Sequence, residues 1–338
     1  MAANGSAVTV KMASDGMWQG ENPLDFALPL PALQVAVILV ITQGLALALK
    51  PLHQPRVVAE ILGGILLGPS ALGRWGAFRR TLFPAWSAAA LDTVSGLGLL
   101  LFLFLVGLEL DVNSVRRVGP RSVAIAAAGI APPFLAAAGL VPLLDVAVPA
   151  PRRASFLPLC VFVGAALSVT ALPVLACILK ELSLLGGGLA ERAGEKVAPL
   201  VSGLMLPLYF ATSGLHTDID NVRGVAAWGM VALVVAVAIG GKFAGTFAVA
   251  AGTGMPRREA AALGVAMSAK GLVELIVLNI GKERKVLDDT TFAIFVIMAL
   301  TTTVLATPFM TALYRRTPTA TTPESDDVEL KGGDACPA

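Results

Sequence analysis

Residues 259–281 read EAAALGVAMSAKGLVELIVLNIG. The stretch is long and apolar enough to cross a bilayer core, which takes roughly 20 helical residues. Two features separate it from an ordinary spanning helix. Ser268-Ala-Lys-Gly271 sets a glycine and a small polar residue in mid-stretch, where they open backbone groups at membrane depth. Lys270 and Glu274, four residues apart, share one helix face. A charge inside a span costs at least ~2.5–3.5 kcal/mol on insertion scales, so the pair needs a reason. Either it neutralises itself so that the helix inserts, or it is a water-facing pair holding opposite helix-dipole ends together. A second interrupted stretch, 156–181, carries Ser168-Val-Thr-Ala-Leu-Pro173. Two broken spans, one in each half of a chain, are the sequence pointer to a transporter site.

Around these stretches lie further apolar runs at 32–49, 57–68, 91–109, 121–146, 198–214, 224–250 and 291–313, giving nine candidate spans. Of the 338 residues, 56% are hydrophobic and 14% charged, and the mean hydropathy is +0.79. Soluble domains carry roughly 25% charged residues. The deficit is too large for one buried core, so a membrane must solvate most of the chain. An odd number of spans puts the termini on opposite sides. The acidic N-terminal segment favours the lumenal or extracellular side, and Arg315 and Arg316 favour a cytoplasmic C-terminus. Run 57–68 is short and ends at Gly68–Pro69, and Pro132–Pro133 should kink run 121–146.

Other intramembrane charges are weighed the same way. Lys242 follows Gly240–Gly241, about eight residues or roughly 12 Å from the end of its run. It is either a snorkelling lysine or a functional group. Glu60 either caps an interfacial helix end or lines a path. Glu109 and Asp111 close the third run, where acids are either interfacial or form a cation-attracting funnel.

Soluble-enzyme chemistry finds no footing. His53 and His216 fall in predicted loops, and there is no Walker loop, dinucleotide fingerprint or paired intramembrane aspartates. The glycine pairs at 63–64 and 240–241 read as close helix packing. Cys160 and Cys177, about 25 Å apart on one predicted helix, cannot bridge without breaking it, and no metal framework or cofactor is implied. The net charge of +2 carries no nucleic-acid argument.

Several segments, in this order, resemble the plant branch of the monovalent cation/proton exchangers, in the monovalent cation:proton antiporter 2 superfamily. They are Gln54-Pro-Arg-Val-Val-Ala-Glu-Ile-Leu-Gly-Gly-Ile-Leu-Leu-Gly-Pro-Ser-Ala-Leu-Gly73 and Leu105-Val-Gly-Leu-Glu-Leu-Asp111. Then come Ser168-Val-Thr-Ala-Leu-Pro-Val-Leu-Ala176, Leu206-Pro-Leu-Tyr-Phe-Ala-Thr-Ser-Gly-Leu215, Gly241-Lys242 and Ala269-Lys-Gly-Leu-Val-Glu-Leu-Ile-Val-Leu-Asn-Ile-Gly281. The resemblance covers roughly residues 28–316. It implies an all-α, inverted-repeat antiporter bundle with two broken helices, here 156–181 and 259–281. It further implies a homodimer in an endomembrane (vacuole or endosome) or the plasma membrane that exchanges potassium or sodium for protons. Lys242 matches the lysine beside the family's ion-binding carboxylate, and Glu109 matches an acid in its Gly-Leu-Glu pattern. With Lys270, Glu274, Glu60, Ser168, Thr170 and Pro173, these are the candidate cation and proton pathway residues.

One departure stands out. After the first broken helix the family has a span with an Asn-Asp pair, whose aspartate carries cation and proton. Here residues 186–197 form a Gly-rich join, and no span holds that dipeptide. About four spans of ~20 residues each are missing. The expected organisation is a polar segment 1–27, an N-terminal exchanger part 28–185, the join, a C-terminal part 198–316 and a disordered tail 317–338. The family's long hydrophilic C-terminal regulatory region is expected to be absent too. Two functions follow: a cation/proton antiporter deficient in transport for want of its carrier, or a non-transporting truncated form or incomplete gene model that pairs with full-length exchangers. An intramembrane enzyme ranks below both.

Overall fold

The computed structural model describes residues 23–52, 54–109, 119–149, 155–169 and 199–314. The described residues are helical, with no strand among them. Apolar runs become helices because hydrocarbon offers the backbone no other partner. Proline and glycine mark their ends. α1 (Pro29–Leu49) opens on Pro29, where a missing N–H costs nothing. α2 (Arg56–Leu67) lies between Pro55 and Gly68–Pro69. A surface helix α3 (Gly76–Leu82) leads into α4 (Ala85–Glu109). α5 (Pro120–Ala147) follows Gly119 and runs unbroken through Pro132, Pro133 and Pro142. α6 (Phe156–Ser168) is short. A π turn, Val201–Met205, leads into α7 (Leu206–Leu215). α8 (Gly224–Gly252), α9 (Arg257–Ser268), α10 (Leu272–Glu283) and α11 (Asp289–Tyr314) complete the bundle.

Each of the nine apolar runs holds helix among its described residues; 170–181 lie outside them. Among the described residues, seven segments are long and apolar enough to cross a membrane. Two runs fall short among the described residues. α6 is a 13-residue apolar helix, and α7 with its π turn is also brief. The protein is an integral membrane protein of all-α architecture.

The helices form two groups. α1, α2, α4 and α7 pack on one another, and α5, α6, α8, α9, α10 and α11 form the second group. One apolar cluster runs through both, from Val57, Ile61 and Ile65 of α2 to Phe292 and Phe295 of α11. A smaller cluster of Ile38, Leu67, Leu91, Leu208 and Ala211 belongs to the first group. Polar contacts also join the groups. Asn279 Nδ2 on α10 donates to Tyr209 Oη on α7 at 3.0 Å, and Ser213 Oγ donates to Asn279 Oδ1 at 3.3 Å. Lys282 Nζ donates to the His216 carbonyl at 2.9 Å. Outside the spans, Arg74 binds Asp220, and that guanidinium holds the Asp220 carboxyl below its usual range.

Apolar residues such as Val40, Leu47, Leu100, Phe104 and Leu135 point outward, as lipid-facing positions should. Lipid tails are as apolar as leucine, so helices associate in a membrane chiefly through close backbone approach. Glycine provides it at two crossings here. A Cβ on Gly64 would stand 2.0 Å from the Ala211 carbonyl oxygen, joining α2 to α7. A Cβ on Gly245 would stand 1.9 Å from the Ala128 carbonyl oxygen, joining α8 to α5. Gly241 rests on Pro133 in the same α8–α5 contact.

Gly64→Ala is therefore expected to lower stability by about 1–3 kcal/mol, since a backbone oxygen cannot step aside as a side chain could. Gly44→Ala, with nothing within 4 Å, should leave it unchanged. Thermal unfolding of the two purified variants in one detergent compares them, and equal midpoints would contradict the packing argument.

Candidate functional site

The site begins with an end of helix. α6 stops at Ser168, where Val169 turns out of helical geometry at φ −57°, ψ 136°. The last four carbonyls of a helix have no partner within it. Away from water, each such group costs several kcal/mol if left bare. Two lysines supply the donors. Lys270 Nζ donates to the Ala166 carbonyl at 2.6 Å and the Leu167 carbonyl at 3.0 Å. Lys242 Nζ, from the middle of α8, donates to the Val169 carbonyl.

Lys270 can do this because the second interrupted stretch really is broken. α9 ends at Ser268, Ala269 is extended at φ −61°, ψ 131°, and α10 starts at Leu272. The freed backbone is closed locally. Ser268 Oγ donates to the Gly264 carbonyl at 2.7 Å, and Thr303 Oγ1 on α11 donates to the Lys270 carbonyl at 2.6 Å. Glu274, one turn on, places Oε2 2.8 Å from Lys270 Nζ. An ammonium has three donors, and here two carbonyls and a carboxylate surround it.

Lys270 and Glu274 are both 0% exposed and Lys242 is 1% exposed. Of the two readings, the burial favours the self-neutralising pair, with α6 and α11 packed beside the break. Snorkelling is likewise not what Lys242 does, since its ammonium reaches inward to α6. Glu274 lies in the first turn of α10, where the helix dipole favours an anion. Its Oε2 takes the Lys270 ammonium and its Oε1 is buried with no donor among the described residues, so the ion pair and the dipole are what hold its charge. Two cations facing one anion leave positive charge in excess. The negative end of α6 meets that excess.

The remaining candidates lie elsewhere. Ser168 Oγ donates to the Ile130 carbonyl of α5 at 3.1 Å, tying α6 to its neighbour without touching either lysine. Thr170 and Pro173 lie outside the described residues. Glu109 ends α4, and its side chain is likewise outside the description. Glu60 does not cap its helix, whose N-cap is Pro55. It is buried, 5% exposed, one turn inside α2 in the first helix group, away from the break, with Oε2 accepting no bond among the described residues. His216 falls in the turn that follows α7, as its C-cap, with Nε2 3.7 Å from Asp92. Cys160 is a free cysteine, and Cys177 lies outside the described residues. A search confined to charges misses Thr303, Tyr209, Ser213 and Asn279. Their signal was their being hydrogen-bonding groups within apolar runs, where each must find a partner.

The chain's sequence is similar to those of known proteins. The family described as "Sodium/hydrogen exchanger, transmembrane" matches residues 35–193 and again 182–315. Cation/H(+) antiporter 20 of Arabidopsis thaliana is 41% identical over 91% of this chain and 51% of its own length. A Na(+)/H(+) antiporter of Synechocystis is 28% identical over 83% of this chain and 96% of its own. The K(+)/H(+) antiporter 1 of Saccharomyces cerevisiae is 25% identical over 88% of this chain and 48% of its own. The chain spans about half the length of the plant relatives it matches. The alignment to the first of them runs over 432 positions, more than the chain's 338 residues, so a block of that relative has no counterpart inside this chain. The two family matches overlap at residues 182–193, where the sequence reading put the join. With nearly every described helix inside those matches, the chain belongs to the transmembrane sodium/hydrogen exchanger family.

Proposed function

We propose that this chain is the membrane unit of a secondary transporter that exchanges a monovalent cation, potassium or sodium, for protons. The observation that carries the reading is the buried set of Lys242, Lys270 and Glu274 at a break in a spanning helix. Such charges are costly in a membrane, and transporters hold them where helices are broken at the substrate site. The names of the relatives agree: they are antiporters of sodium, potassium or unspecified cations against protons. In this reading Lys242 and Lys270 position the end of α6. Glu274, Glu60 and Glu109 are the acids left to take the place of the absent aspartate. Ser168, Thr170 and Pro173 shape the broken stretch, and a homodimer is the expected assembly.

A second reading has a specific observation behind it. The two family matches overlap at residues 182–193 and no apolar run holds an Asn-Asp dipeptide, and a proton-coupled exchanger needs a group that titrates in competition with the cation. In that reading the chain keeps the scaffold, carries no ion, and pairs with full-length exchangers. Potassium- and sodium-dependent proton movement in liposomes holding the purified chain separates the two. Movement above that of empty vesicles supports the antiporter. Its absence, with the protein inserted and folded, supports the partner reading.

If exchange is seen, Lys242→Ala should slow it about tenfold or more. A charge-assisted hydrogen bond at a helix end is worth about 1.5–3 kcal/mol, and each 1.4 kcal/mol is a factor of ten in rate. Unchanged exchange by that variant would remove Lys242 from the mechanism.

The ion pair makes a separate demand on stability. Glu274→Gln leaves the Lys270 ammonium buried without its anion and should cost about 3–5 kcal/mol. Adding Lys270→Met removes the stranded charge, so the double variant should be more stable than Glu274→Gln alone, short of the wild type because the Ala166 and Leu167 carbonyls lose their donor. Unfolding midpoints of the wild type and the three variants form the cycle. Additive losses would show that the two residues do not act as a pair.

A further inference from the structure

α7 and α10 meet along matched rows of polar groups. On α7, Tyr209, Ser213 and the carbonyl of His216 follow one another at spacings of four and three residues, one helical face. On α10, Asn279 and Lys282 are three apart, again one face. The rows run in the same direction. Asn279 Nδ2 donates to Tyr209 Oη at 3.0 Å, and its Oδ1 accepts from Ser213 Oγ at 3.3 Å. Lys282, nearer the end of its helix, donates to the carbonyl of His216, the C-cap of α7, at 2.9 Å. A carboxamide gives and accepts at once, so Asn279 sits between two rungs of α7. Tyr209 and Ser213 are buried, and polar groups so placed require partners.

These contacts cross from one helix group to the other. The charges of the break are bound within the second group: Lys270 to α6 and Glu274, and Lys242 to the Val169 carbonyl. His216 belongs to the first, with Asp92 of α4 3.7 Å from its Nε2. The apolar cluster that also crosses the seam offers little discrimination, since apolar helix surfaces in lipid gain little from one alignment over another. Paired polar groups do discriminate, as one buried asparagine fixes the register of a coiled coil. α7 offers Asn279 a neighbouring place, one turn toward His216, between Ser213 Oγ and the His216 carbonyl. In that register Leu275, one turn earlier on α10, would face Tyr209 and strand its hydroxyl. The carbonyl there is already taken by Lys282, which is held in turn by Asp289 at 3.1 Å and lies over the Phe292 ring.

We propose that Asn279 and Lys282 are positioning residues that lock α10 in one register on α7. Asn279 selects the place, and Lys282 on the His216 carbonyl closes the neighbouring one. α10 carries Glu274 in its first turn and follows directly on Lys270, so this register sets where the buried charges stand relative to the first helix group. The lock does not rest on the exchange reading; its bearing on ion movement does.

The test uses the full chain with Cys160, Cys177 and Cys336 changed to serine and spin labels at Leu47→Cys on α1 and Ile280→Cys on α10, both exposed positions. Double electron–electron resonance in lipid nanodiscs reads the distance between the groups, with unfolding midpoints measured beside it. With Asn279 and Lys282 in place, one narrow distance is expected. Lys282→Met should raise a second population, displaced by about 5 Å or one helical turn, about tenfold, the effect of losing one charge-assisted hydrogen bond. Lys282→Arg keeps a donor for the carbonyl and should hold the single distance. Adding Tyr209→Phe to Lys282→Met should raise the displaced population further, because the slipped register then strands no hydroxyl. Adding Asn279→Leu instead should replace the displaced peak by a broad distribution, since nothing is left to select a place. Should Lys282→Met not fold, Tyr209→Phe alone decides by the same displaced peak. A single unchanged distance in Lys282→Met and in its pair with Tyr209→Phe would show that apolar packing sets the register, and would overturn the proposal. Two distances with Lys282 in place would overturn it as well. No ion flux is read, so either result leaves the exchange reading standing.

Discussion

The architecture turns on the bare carbonyls at the end of α6. A helix that stops inside a membrane exposes acceptors that lipid cannot satisfy, and the deficit of several kcal/mol per group must be met by protein. Here the donors are ammonium groups from α8 and from the link between α9 and α10. Each ammonium is itself costly to bury, so meeting one demand creates another. Glu274 answers the second demand from the face it shares with Lys270, and Thr303 answers the backbone that the break sets free. Close packing makes the arrangement reachable: Gly245 lets α8 lie on the backbone of α5, which in turn packs on α6. Sequence, packing and site are one chain of causes in this region.

Much of this was legible in the sequence, for reasons that can be named. The apolar runs became helices because membrane depth leaves the backbone few alternatives. The break at 268–272 was visible in Ser268 and Gly271, and the pairing of Lys270 with Glu274 in their spacing. The partners of the two lysines were not legible, since they are main-chain carbonyls and any residue type carries one. Whether Lys242 snorkels or turns inward depends on which helix lies beside α8, which periodicity does not report. Among the described residues seven spans are long enough, because run 156–181 is described only as far as Val169. Hydropathy sees the length of an apolar run, whereas a helix end is set by a local backbone turn such as that at Val169. The polar seam of Tyr209, Ser213 and Asn279 was missed because neutral groups carry no insertion penalty large enough to attract notice.

The join lends the lysine cluster a further significance. α6 precedes residues 182–193, where the two family matches overlap, and both lysines follow them. The contacts between the end of α6 and the later helices therefore do not depend on the block that the plant relatives possess and this chain lacks. That is what the physics of an unsatisfied helix end would select: a contact needed for the fold to be stable in lipid, whatever else occupies the core.

The same contact constrains any ion that enters. A dehydrated cation needs several oxygens in place of its water. Around the break, the carbonyls of Ala166, Leu167 and Val169 each already accept from an ammonium, so an incoming cation would meet like charge as well as oxygen. The acid closest to them, Glu274, is held against Lys270. A cation could gain these ligands only as a lysine withdrew or gave up its proton, and the helix end would then need the cation in the lysine's place. Under the proposed exchange reading, ion entry, proton release and the position of α6 are different descriptions of a single exchange of positive charge at one helix end.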